Sequence, residues 1–198
     1  MVVPKGPDFT LGAAPPAPPA QRTQETPITN NNIPVLIYNY IYNRNGVPAD
    51  LRDIPIGNWD VSRVTNMSNL FSGLESFNEP LNDWNVSNVT NMTSMFDGAT
   101  SFNQPLDTWI DDNGTKHWST EYAGNMSGMF SEATSFNQPL NNWDTQHVMF
   151  MDEMFKGAIS FNQSLNNWNT TEVVNMDNMF DQELENTFVK NFVYCIIF

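Results

Sequence analysis

A repeat solenoid is the fold class this sequence predicts, on three observations. One phrase is spelled four times: SFNEPLNDW at 76–84, SFNQPLDTW at 101–109, SFNQPLNNW at 135–143 and SFNQSLNNW at 160–168. Tryptophans fall at 59, 84, 109, 143 and 168, giving spacings of 25, 25, 34 and 25. Phe71, Phe96, Phe130, Phe155 and Phe180 keep a similar beat, as do Phe77, Phe102, Phe136 and Phe161. A period near 25 residues belongs to stacked-coil arrays. Their units gain stability chiefly from neighbours, and their end layers need caps.

Residues 1–31 hold 7 of the 13 prolines, including AAPPAPPA, and read as a Pro-rich extended arm. Proline lacks a backbone donor and biases the chain toward polyproline II. Residues 32–45, NIPVLIYNYIYNRN, place Ile33, Leu36, Ile37, Tyr40 and Ile41 at helical spacing. Asn32 is the expected N-cap, Pro34 fits the first turn and Gly46 the stop. This helix is expected to cover the first coil.

The solenoid is expected over residues 46–181, as about five units of 25 residues. In the unit WNVSNVTNMTSMFDGATSFNQPLDT, Val89, Met92, Phe96 and Ala99 are three or four apart, which predicts a short helix or 3₁₀ turn. Phe102, Gln104 and Leu106 then alternate as in a short extended segment, which Pro105 keeps irregular. The repeat core is assigned to Trp59, Phe71, Phe77, Trp84, Met92, Phe96, Phe102, Phe130, Phe136, Trp143, Phe155, Phe161, Trp168 and Phe180. The asparagines of TNM and FNQ suit side-chain ladders that satisfy turn backbones. After Phe180 the phrase breaks, and residues 182–198 read as a C-terminal cap or a docking tail, with Phe192, Ile196 and Ile197 as its apolar contacts.

WDVSRVTNMSNLF, WNVSNVTNMTSMF and SFNQPLNNWD resemble the BspA-like leucine-rich-repeat family, in its Trp/Met/Phe-rich branch. That branch is common in mycoplasma surface lipoproteins and also occurs in protists and large DNA viruses. The resemblance spans about residues 46–181. It implies a leucine-rich-repeat-like solenoid and a role in adhesion or protein interaction, and it implies no catalytic residues.

Composition narrows the function. Asp and Glu outnumber Lys and Arg by 22 to 8, for a net charge of -14, which disfavours nucleic acid as a partner. One cysteine, Cys195, excludes an internal disulfide and a thiolate metal cluster. No apolar run is long enough for a membrane helix, and the N-terminal residues lack the apolar core of a secretory signal. His117 and His147 are the only histidines, and neither has neighbours spaced for a catalytic triad. No catalysis, cofactor or metal is expected.

The 34-residue spacing marks a nine-residue insertion at WIDDNGTKHW, residues 109–118. Asn113-Gly114 predicts a two-residue hairpin turn, pairing Asp112 with Thr115, Asp111 with Lys116, Ile110 with His117 and Trp109 with Trp118. Such a hairpin would stand off the solenoid. It reads either as a tolerated insertion or as a knob that contacts a partner through Trp109, Asp111, Asp112, Asn113, Lys116, His117 and Trp118. An EF-hand alignment of this stretch fails, because Trp109 and Thr120 occupy positions that need carboxylates. Eight N-x-[ST] sequons are attributed mostly to the repeated VSNVTNM phrase. The expected function is a non-catalytic scaffold that binds other proteins, in a virion or other large assembly, with a cell-surface adhesin as the alternative.

Overall fold

From Trp59 to Phe180 the chain runs through units that stack one on the next, in a computed structural model that describes residues 23–180. In the second unit the amides of Met92, Ser94, Phe96 and Gly98 donate to Asn125, Ser127, Met129 and Ser131 of the third, at 2.8–2.9 Å. The first unit uses Met67, Asn69, Phe71 and Gly73 toward Asn91, Thr93, Met95 and Asp97 in the same way. These peptides all point along the stack with N–H forward and carbonyl back. Isolated parallel bridges mark one column of the ladder, through Asn66, Asn91, Asn125, Phe150 and Asn175.

The helical turn expected over Val89–Ala99 does not form. Met95, Asp97 and Ala99 instead donate to Met92, Ser94 and Phe96, giving overlapping i→i+3 turns. Two positions per unit adopt left-handed φ: Asn69, Ser94, Gly128, Glu153 and Asn178 at the first, and Gly73, Gly98, Glu132 and Gly157 at the second. A right-handed helix cannot continue through such residues. The alternate amides are thereby turned outward to the next unit. Among the described residues, every helix precedes Trp59.

Apolar side chains occupy the inside of each turn. Val86, Val89, Met92, Met95, Phe96, Ala99, Phe102 and Leu106 are all buried in the second unit. Phe96 stacks on Phe71 and Phe130 at centroid distances of 5.2 and 5.6 Å, nearly parallel. Phe102 lies 6.0 Å from both Phe77 and Phe136. The remaining assigned core residues, from Trp59 through Phe180, are buried too. The FNQ phrase forms a ladder outside this core. Asn78, Asn103 and Asn137 each accept the backbone N–H of the equivalent Asn one unit later, at 2.9 Å, and Gln104, Gln138 and Gln163 reach back to the same amides.

The tryptophan column corrects the sequence reading. Its members are Trp59, Trp84, Trp118, Trp143 and Trp168, so the insertion falls before Trp118. Trp118 is fully buried and stacks 6.2 Å from Trp143 with rings almost parallel, while Trp109 is 38% exposed. Each indole N–H also locks the register. Trp118, Trp143 and Trp168 donate to the carbonyls of Leu81, Leu106 and Leu140 in the preceding unit, at 2.7–2.9 Å. Trp109 stays outside the column because the chain departs from the repeat path after Thr108. The chain returns at Trp118, whose carbonyl accepts the Thr108 hydroxyl at 2.7 Å.

The first unit is capped by a helix and by side chains. Helix α1, Ile33–Tyr42, buries Ile33, Leu36, Ile37 and Tyr40. A 3₁₀ turn at Arg44–Gly46, helix α2 at Ala49–Arg52 and a second 3₁₀ turn at Ile56–Asn58 lead into Trp59. Asn32 is not a side-chain cap for α1. Its Oδ1 accepts from Thr29 N–H at 2.8 Å, so it closes the preceding turn. Tyr40 donates to Glu79 at 2.6 Å, and burial, reinforced by this bond, pushes the phenol above its usual pKa. Glu79 sits where later units have Gln, since no earlier FNQ amide exists for it to reach.

Residues 23–31, expected to belong to the Pro-rich extended arm, are part of this cap. Ile28 is buried, and Asp50 accepts from Glu25 N–H and from the Thr26 N–H and hydroxyl. Asn30 Oδ1 accepts from Thr65 N–H and Asn66 N–H at 2.9 and 3.1 Å. In the next unit the Thr65 carbonyl accepts from Thr90 and Asn91 in the same pattern. The Asn30 amide thus stands in for the peptide of a missing unit. A side chain supplies the backbone acceptor where the repeat begins.

Candidate functional site

The insertion folds into strands β1, Trp109–Ile110, and β2, Lys116–His117, paired antiparallel. Trp109 faces His117 and Ile110 faces Lys116, one residue out from the expected register. Asp111 N–H donates to Thr115 carbonyl and Gly114 N–H to Asp111 carbonyl, both at 3.0 Å. The loop therefore has three residues, Asp112-Asn113-Gly114, with Gly114 at φ 81°. This is a type I turn closed by a left-handed glycine, the next commonest hairpin after the two-residue kind. Asp111 decides between them, because its Oδ1 accepts from both Asn113 N–H and Thr115 N–H. Those bonds, led by Thr115, hold the Asp111 carboxyl below its usual pKa.

The hairpin does not stand off the stack. Trp109 Nε1 donates to Asn82 carbonyl at 2.8 Å, and His117 Nδ1 lies 2.8 Å from Asp83 carbonyl. His117 Nε2 lies 3.4 Å from Asp111 Oδ2. Both neighbours of the imidazole are acceptors. The Trp109 and His117 rings stack at 4.4 Å.

An open cleft of about 490 Å³ runs between this hairpin and the first two units. Its walls are Asn58, Trp59, Asp60, Asp83, Asn85, Trp109, Asp111 and His117. The sequence reading gave the hairpin members of that set to partner contact and Trp59 to the core, and assigned neither role to the other four. Asn58, Asp60, Asp83 and Asn85 were legible as the polar residues flanking successive tryptophans, in NWD and DWN, but which pair would face the insertion depends on the fold back. Asp112, Asn113 and Lys116 are exposed on the hairpin, and Trp118 belongs to the core. Phe192, Ile196 and Ile197, with Cys195, lie outside the described residues.

The sequons have a local structural use. Asn66, Asn85, Asn91, Asn125 and Asn169 each accept through Oδ1 from the N–H two residues on. In Ser87 and Thr93 the hydroxyl donates to the same oxygen. N-x-[ST] is here an Asx turn reinforced by a hydroxyl.

A family model described as "Mycoplasma protein of unknown function, DUF285" matches residues 46–116 and again residues 110–192. The two matches overlap within the hairpin, where the insertion interrupts the period. No curated protein and no solved structure matches the chain.

Proposed function

Since this chain belongs to the mycoplasma-type family of unknown function whose model matches it twice, we propose that it is a non-catalytic, protein-binding scaffold. In this reading the stack is a solenoid of leucine-rich-repeat type, akin to BspA-like proteins. It serves as a structural component of a larger assembly such as a virion. The observation that carries the reading is how the repeated polar residues are spent. The asparagines and glutamines of FNQ, and the asparagines that start the Asx turns, hydrogen-bond the backbone or side chains of their own or adjacent units. What repeats is devoted to building a rod, and the non-repeating hairpin is where a specific contact can differ from unit to unit.

Fractionation of the source organism tests this. The protein is expected to co-purify with particles or a large complex at fixed stoichiometry through a density gradient. Labelling by a membrane-impermeant reagent on intact cells would replace the assembly role with the adhesin role. Recovery only as a free monomer would reject both.

A further inference from the structure

We propose that the cleft beside the hairpin seats a guanidinium side chain of a partner protein, on the Trp109 indole and between the carboxylates of Asp60 and Asp83. The inference rests on the scaffold reading and names the chemistry of its contact. Trp109 is a large aromatic held in an exposed position, with its edge fixed by the bond to Asn82 and one face taken by His117. Fixed, partly exposed aromatic faces attract cations, arginine most often. Asp60 and Asp83 each use one carboxylate oxygen locally, toward Ser62 N–H and the Asn82 amide. Among the described residues, no bond is donated to the second oxygen of either.

Charge and shape choose the occupant. Among the described residues no Lys or Arg lines the cleft, and the chain as a whole carries a net charge of -14. A cation is therefore favoured over an anion or a neutral group. A bare metal ion is a poor fit, since among the described residues no three His, Cys, Asp or Glu side chains gather to hold one. The carboxylates line an open cleft of about 490 Å³. A planar, delocalised guanidinium with five donors spans such a space, stacks on an indole and forks onto carboxylates, whereas an ammonium acts as a point charge.

The test is calorimetric titration of the full chain with the peptide Ac-Gly-Arg-Gly-Arg-Gly-NH₂, beside its Lys and Gln counterparts, at low and high salt. The arginine peptide should bind about ten-fold or more tighter than the glutamine peptide, with lysine between, and weaken as salt rises. Trp109→Ala should weaken binding by roughly 3–30-fold, the range of a cation–π contact. Asp60→Asn/Asp83→Asn should remove the salt dependence without shifting the melting temperature. This second variant keeps the test valid if Trp109→Ala disturbs the hairpin. Equal binding of the glutamine peptide, unchanged affinity in the Asp variant, or no arginine binding at millimolar peptide would overturn the proposal. If arginine binding holds but the protein is found only as a free monomer, the cleft stands and the scaffold role falls. Particle association without arginine binding has the opposite meaning.

Discussion

Trp118 Nε1 donates to the carbonyl of Leu81, 37 residues earlier, across 2.7 Å in the core. One bond thus ties the far end of the insertion to the unit before it. Trp118→Ala removes a fully buried indole and leaves that carbonyl without a partner, so a loss of about 3–5 kcal/mol is expected. Trp109→Ala, at an exposed position, should cost less than about 1 kcal/mol. Urea denaturation of both variants separates core from rim. Equal costs would contradict the assignment of the tryptophan column.

Gly57 tests how closely the cap meets the first unit. A Cβ there would lie 2.4 Å from the Pro80 carbonyl oxygen, a backbone atom with little room to retreat. Gly57→Ala should destabilise by about 1–3 kcal/mol through overpacking. Gly73→Ala meets nothing within 4 Å and carries only the left-handed penalty at φ 70°, about 1–2 kcal/mol. A neutral Gly57→Ala in the same denaturation experiment would mean that cap and unit are further apart.

Asn30 and the segment around it are expected to behave as a structural cap. Deleting residues 1–31 should lower the melting temperature relative to deleting residues 1–22 alone, because the former also removes Thr26, Ile28 and Asn30 from the cap. Asn30→Ala removes the acceptor for two exposed backbone donors and should cost about 0.5–1.5 kcal/mol. Asn30→Asp keeps that acceptor and loses only the donor to Thr65 Oγ1, so it should fall between. Circular dichroism melts of the four proteins give the order.

Asp50 gives the cap a pH dependence. Its pKa is held below 3.8, chiefly by Thr26 N–H. A depressed carboxylate contributes stability above the unfolded pKa and loses it as pH falls through the folded value. Wild type should therefore melt above Asp50→Asn at pH 5–7, by a constant margin, with the margin closing below about pH 4. A margin independent of pH down to 2 would remove Asp50 from the cap.

Some errors of the sequence reading share one cause. Spacings of three and four are produced by a helix and equally by overlapping i→i+3 turns, because both return a side chain to the same side. Only the left-handed residues, Ser94 and Gly98 among them, separate the two. In the hairpin, Asn113-Gly114 supports either loop length, and the Asp111 side chain settles it through bonds that local propensity does not encode. Trp118 was recoverable: it stands seven residues before Asn125, as Trp84 does before Asn91. Counting forward to the NM pair, instead of back to the last SFN phrase, gives the observed register.

Sequence alone determined the period and the burial of every side chain it assigned to the repeat core. Each follows from side-chain chemistry repeated at a fixed interval, which a linear chain displays openly. Tertiary structure decided which of two tryptophans enters the column, that residues 23–31 close the first unit, and that the hairpin lies back to make a cleft with Asp60 and Asp83. Those outcomes depend on partners 24 to 37 residues away, such as Asp50 for Thr26 and Leu81 for Trp118. Hydrogen bonds across that distance form only once the stack has brought its units together.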